Sequence, residues 1–280
     1  MMQVQWYTGH MTKAKRMMQE DIKLIDLVIE LLDARIPLSS RNPDIDELAK
    51  GKSRLVLLNK SDLADPAANK AWLKYFEDRG IIALLVDSRN RGGFGPINGS
   101  IEKACREKIE RDRKRGIIGR PVRAMVAGIP NVGKSTFINS LTRKAGAKTG
   151  NKPGVTKGKQ WIKLDKNVEL LDTPGILWPK FDDEDTGLNL AFVGSINDEI
   201  LDPAELAVKL VERLKKTYPG VLFARYEVDE EENTAVILEK IAFKRGCLRK
   251  GNEPDFDKAA RIILDEFRSG KLGKITLEII

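Results

Sequence analysis

The stretch Gly128 to Ser135 reads GIPNVGKS and fits the spacing G-x-x-x-x-G-K-[ST], which does phosphate chemistry. Glycines at 128 and 133 let backbone N–H groups turn toward an anion, and a helix starting there adds the positive end of its dipole. The nucleotide-contacting set expected from this loop is Asn131, Val132, Gly133, Lys134, Ser135 and Thr136. Lys134 would bridge the β- and γ-phosphates as a catalytic group, and the Ser135 hydroxyl would bind Mg²⁺. Farther on, VELLDTPG places Asp172 where an acid can hold Mg²⁺ and Gly175 where a backbone N–H can meet the γ-phosphate. Between the two motifs, Thr156 in KPGVTK is a threonine of the kind that reaches Mg²⁺ when a γ-phosphate is bound. It is therefore both a metal-binding and a catalytic candidate.

A third motif specifies the base. Asn59 to Asp62 reads NKSD directly after the apolar run Leu55 to Leu58. The Asp62 carboxylate can accept from both the ring N1–H and the exocyclic amine of guanine, a pair adenine lacks. Asn59 can bind the ring edge and tie loops together, and the Lys60 stem can lie over the base. The ligands implied are GTP and GDP. In ordinary GTPases this motif follows the phosphate motifs; here it precedes the phosphate loop, and no N-K-x-D follows DTPG. A chain cut and rejoined at surface loops keeps its spatial neighbours, so the order implies a circularly permuted GTPase domain.

These motifs need strands to hold them. DLVIELLDAR, RLVLLNK, IIALLVD and VRAMVAGIP are continuous apolar runs, as expected of parallel strands covered on both faces. QWIKL and VELLD are two further strand candidates, and PAANKAWLKYFEDRG has helical spacing ending at Gly80. The fold class expected is α/β, a mostly parallel sheet with helices on both faces, followed by a small all-helical part. In that part Asp202 and Pro203 open a helix whose apolar face is Leu206, Leu210, Val211 and Leu214. Helical segments follow at about Thr234 to Lys244 and Asp257 to Arg268. The expected division is 1–185 for the nucleotide domain and 186–280 for a helical RNA-binding domain.

Composition narrows the partners. The 49 Lys and Arg against 41 Asp and Glu leave a charge of +8, which favours anionic partners. From Arg143 to Lys166 eight basic residues face only Asp165, a pattern suited to phosphate or nucleic acid. From Lys103 to Arg115 acids are interleaved at helical spacings, so a solvated helix face and an anion-facing one are both open. No apolar run approaches the roughly 18 to 20 residues that span a bilayer, no signal-peptide stretch opens the chain, and Cys105 and Cys247 make no CxxC pair. The expectation is a cytoplasmic protein, a monomer, with no membrane partner.

The order GHM, DARIP, NKSD, GIPNVGKS, PGVT, DTPG resembles the YlqF family, also called ribosome biogenesis GTPase A. EKIAFKRGCLRKG and DKAARIILDEFRSGKLGKITLE resemble that family's helical carboxy-terminal domain. The resemblance implies GTP hydrolysis coupled to maturation of the large (50S) ribosomal subunit precursor, with the helical domain contacting ribosomal RNA. The second base-contact segment departs from the family pattern: members often carry Ser-Ala-Lys-like residues where this chain has Asp87-Ser88-Arg89, and the guanine contact that the resemblance implies there falls on Ser88. Where Ras-like GTPases carry a water-positioning glutamine, this chain has Ile176, and the resemblance carries the hydrolytic role to His10, the only histidine. Asn131 matches an asparagine that in some potassium-dependent GTPases helps hold K⁺. Two alternatives stand beside this reading. One is a nucleotide-gated RNA-binding scaffold with negligible turnover; the other is a permuted GTPase acting on another ribosomal particle.

Overall fold

Every residue of β1 (Leu27–Asp33) is buried, the mark of a strand covered on both faces. The computed structural model describes residues 9–117, 119–142, 160–164, 166–173, 175–178, 181 and 183–280. Ahead of β1 lies α1 (Gly9–Asp21), and after it come α2 (Pro43–Leu48), β2 (Ser53–Asn59), α3 (Pro66–Glu77), β3 (Ile82–Leu85), α4 (Ile97–Ala104) and α5 (Arg106–Lys114). Next are β4 (Val122–Ala127), α6 (Lys134–Thr142), β5 (Gln160–Lys163) and β6 (Val168–Asp172). Then follow α7 (Glu184–Phe192), α8 (Pro203–Thr217), α9 (Val221–Tyr226), α10 (Thr234–Lys244) and α11 (Phe256–Arg268).

The six strands lie in the order β3-β2-β1-β4-β6-β5. All pairs are parallel except the edge strand β5, which runs antiparallel to β6. Register aligns Asp33 with Asn59 and Val126 with Asp172. DARIP, NKSD, GIPNVGKS and DTPG thus all leave the sheet at the carboxyl ends of its strands, where open α/β sheets bind ligands. The strands bearing NKSD and Ser88 precede the phosphate-loop strand in the chain yet lie beyond β1 in the sheet. That is the permuted α/β fold expected from motif order.

The helices after residue 183 are joined to the sheet. One apolar cluster contains Leu31, Leu57 and Val126 from the strands together with Leu206, Ile241 and Ile263 from α8, α10 and α11. The division expected after residue 185 falls in the first turn of α7, and this core crosses it. The start of α8 follows from its sequence: Asp202 Oδ1 accepts from Ala204 N–H at 2.8 Å, with Pro203 opening the helix. Beyond α11 the chain returns over the nucleotide half. Ile275 N–H donates to Leu63 O at 3.0 Å and Leu277 N–H to Arg35 O at 2.8 Å. The Glu278 carboxylate accepts from Leu38 N–H at 2.6 Å and Ser39 N–H at 2.8 Å, and Trp72 Nε1–H donates to Glu278 O at 2.9 Å.

The two basic stretches fare differently. Most of 143–166 lies outside the described residues. In α5, Lys108 is buried between Asp26 (3.4 Å) and Asp112 (3.1 Å), and Arg106 pairs with Glu110. Two cations of that stretch are thus already balanced by the protein itself. No helix among the described residues is long and apolar enough to cross a membrane.

Candidate nucleotide site

The phosphate loop is shaped by what cannot fit around it. A Cβ on Gly128 would stand 2.5 Å from Leu31 O, and one on Gly133, at φ +102°, would stand 2.6 Å from Asn59 Nδ2. Both positions therefore exclude side chains. Asn131 takes the left-handed conformation at φ +57°, and its Nδ2 donates to Gly194 O at 2.7 Å. Val132 is fully buried, and Ser135 and Thr136 follow it into the first turn of α6.

Two opposite charges face each other across this loop, and among the described residues neither is held in a close ion pair. The buried Lys134 ammonium donates back to Gly128 O at 3.0 Å and Ile129 O at 2.8 Å, and burial lowers its pKa to about 8. Burial also raises the pKa of Asp172, with the Lys134 charge opposing. Neither Asp172 carboxylate oxygen has a hydrogen-bond partner among the described residues. Gly175 closes over the loop, since a Cβ there would stand 2.7 Å from Lys134 Nζ and 2.8 Å from Pro130 Cα. Such a set, a buried lysine, loop amides and an unsatisfied carboxylate, has the chemistry to take a triphosphate and a divalent cation.

The base end is knitted by Asn59. Its Nδ2 donates to Val132 O at 2.8 Å, and its Oδ1 accepts from Ser88 N–H at 3.1 Å and Ser88 Oγ–H at 2.7 Å. Ser140 Oγ–H in turn donates to Ser88 O at 2.6 Å. The expected contacts Asn59, Ser88, Val132 and Gly133 are thus brought together. Lys60 takes the left-handed conformation at φ +59°, and its Nζ lies 2.9 Å from Asp33 Oδ2. Asp62 stands half-buried one residue beyond Ser61, whose hydroxyl donates to Val86 O at 3.0 Å.

Sequence reasoning missed the group behind Lys60. Arg35 Nε and Nη2 fork the Asp33 carboxylate at 2.9 and 2.8 Å. Burial works against the Asp33 charge, but Arg35 and Lys60 outweigh it and hold the carboxyl well below its usual range. Burial lowers the Lys60 pKa, with Asp33 opposing. The alternation of Asp33 and Arg35 at the end of an apolar strand was the available signal.

Ile176 is a core residue. It is 2% exposed and shares an apolar cluster with Met18 of α1, Val28, Ile45 and Met125. The backbone of His10 lies in α1, while its side chain and all of Thr156 lie outside the described residues.

Fold and site together define a circularly permuted P-loop protein for guanine nucleotides. Residues 123–240 match the family model described as 50S ribosome-binding GTPase, and over 99% of its length the chain is 48% identical to ribosome biogenesis GTPase A of Bacillus cereus, covering 94% of that protein. The chain belongs to the ribosome biogenesis GTPase A family. Two solved structures resemble it at 28% identity: GDP-bound TM YlqF, with a TM-score of 0.70 over 94% of this chain and 99% of that one, and GNP-bound YlqF from T. maritima, with 0.67 over 95% and 98%. It binds guanine nucleotides and hydrolyses GTP.

Proposed function

We propose that this GTPase assembles the large ribosomal subunit, binding its precursor and ribosomal RNA in the GTP state and leaving after hydrolysis. The observation that carries the reading is the near full-length likeness to ribosome biogenesis GTPase A of Bacillus cereus, helical part included. Residues 1–185 would read the nucleotide and 186–280 the RNA, in a cytoplasmic monomer. Asn59, Lys60, Asp62 and Ser88 take the base, and Asn131 through Thr136 with Gly175 take the phosphates. Ser135, Thr156 and Asp172 would hold Mg²⁺, which the unsatisfied Asp172 carboxylate fits; when bound, that ion neutralises charge on the β- and γ-phosphates. Lys134 and Thr156 stabilise charge on the transferring group, and His10 supplies the water-positioning function that Ile176 lacks.

A second reading has its own support. Ile176, the residue directly following DTPG, is committed to the core and offers water no polar partner, which favours a scaffold of negligible intrinsic turnover. Multiple-turnover hydrolysis with and without purified large-subunit particles separates the two. Stimulation by particles, lost in His10→Ala while nucleotide affinity is retained, is the expected result; near-zero rates in both conditions would leave the scaffold. Asn131 is proposed to help hold K⁺, a charge that would act as an arginine finger does. Turnover in K⁺ should exceed that in Na⁺ by about tenfold or more, and equal rates would remove the ion from the scheme.

A further inference from the structure

Arg268, the last residue of α11, bonds directly to neither NKSD nor the phosphate loop, yet its partners lead toward both. On the phosphate side its Nε donates to Phe192 O at 2.9 Å and its Nη2 to Ala191 O at 2.8 Å, closing the end of α7. The same guanidinium grips both Asp198 oxygens at 2.7 and 2.8 Å. The turn so held makes two bonds to the phosphate loop: Gly194 O accepts from Asn131 Nδ2 at 2.7 Å, and Ser195 Oγ–H donates to Pro130 O at 3.0 Å. Gly194 sits at φ +76°, and a Cβ there would stand 3.3 Å from the Arg268 guanidinium, so turn and arginine are in direct contact.

On the base side the Arg268 carbonyl accepts from Arg35 Nη1 at 3.2 Å. Arg35 is the residue that forks Asp33, to which Lys60 is paired, and its guanidinium stands 5.4 Å from the Phe267 ring centroid. Both ends of the nucleotide site thus converge on the last turn of one helix. A planar guanidinium filling several acceptors at once is a rigid joint that a lysine cannot reproduce.

We infer that Arg268 is a positioning residue that couples nucleotide occupancy to the packing of α7 and α11 by a route separate from DTPG and Thr156. Seating phosphates on the loop sets Pro130 and Asn131, these set the Gly194–Ser195 turn, and Arg268 carries that setting into α11. By linkage, loosening the helical side weakens nucleotide binding in equal measure. The inference rests on nucleotide binding and not on the ribosomal partner, so it is tested without ribosomes, and failure of ribosome stimulation does not touch it.

The test uses the full chain, with fluorescent GDP and a nonhydrolysable GTP analogue as probes. Arg268→Gln should raise both dissociation constants about five- to tenfold, while the nucleotide-free protein still unfolds cooperatively. Ser195→Ala should raise them about threefold, and the double variant should bind no worse than Arg268→Gln alone, as expected of residues on one path. Hydrogen exchange gives a readout that a merely structural helix end would not move. GDP should protect residues 186–196 in the wild type and fail to do so in Arg268→Gln, though protection of the phosphate loop persists. Where Arg268→Gln does not fold, Arg268→Lys keeps the charge facing Asp198 and should show the same loss of protection. Unchanged dissociation constants, strictly multiplicative effects, or GDP protection of 186–196 surviving in the folded variant would each overturn the inference.

Discussion

The two ends of the nucleotide site differ in how far their polar groups are satisfied. At the base end, Asn59 fills its amide with Val132 and Ser88, and Asp33 holds two cations. At the phosphate end, Lys134 is folded back on its own loop and the Asp172 oxygens have no hydrogen-bond partner among the described residues. A satisfied network is rigid and needs no ligand to exist, whereas buried unmet charge is costly until a ligand of opposite sign arrives. The base end is therefore preorganised, and the phosphate end is where binding relieves strain and where the identity of the nucleotide makes itself felt.

The sharpest way to break this contrast is Asp33→Asn. It would leave the buried Arg35 and the half-buried Lys60 facing no anion, and removing one partner of a buried ionic group costs about 3 to 5 kcal/mol. Urea unfolding should show that loss; a change below about 1 kcal/mol would mean the base end is not held as described. The same carboxyl gives an acid signature. Its folded pKa is depressed, so its stabilisation is present above the unfolded value and drains away as pH falls below about 4.

Asp62→Asn should lower GTP affinity by about ten- to a hundredfold, the worth of a charge-assisted hydrogen bond, and shift preference toward xanthosine triphosphate without altering stability. Selective retention of GTP over that analogue in a titration would refute the guanine assignment. The smallest effect lies at the phosphate end. Burial lowers the Lys134 pKa to about 8 in the free protein, and phosphates seated on the loop would raise it again. Above pH 8 binding must then take up a proton, so GDP affinity should fall by up to about tenfold per pH unit. For the free protein the sign is opposite: the unfolded chain binds the extra proton, so this group makes stability rise between about pH 8 and 10.5. Calorimetry in buffers of different ionisation heat reads the proton uptake directly, and Lys134→Ala should abolish it.

Much of the architecture was legible because its signals are local. Strand runs such as Leu55 to Leu58, the Asp202 cap and the apolar face of α8 each depend on residues within a turn or two. The phosphate loop and NKSD were legible for a related reason: their chemistry requires particular residues at fixed spacing. What escaped were pairings across the chain. Arg35 and Arg268 lie 233 positions apart, and nothing in either neighbourhood points to the other. Ile176 read as a missing catalytic group, because a single apolar residue after DTPG does not say which cluster it fills. α9 is too short for periodicity, being set between Gly220 at φ +90° and Glu227 at φ +52°.

The return of residues 275–278 across Leu63 and Arg35 has a consequence for how the site comes into being. During synthesis NKSD and DARIP emerge early, but the segment that braces both is made after every other part of the site. Contacts spanning more than 200 residues close late and slowly. A nascent chain stalled before residue 275 would thus carry NKSD and DARIP without this brace, and both motifs would be held in place only once translation has passed this segment.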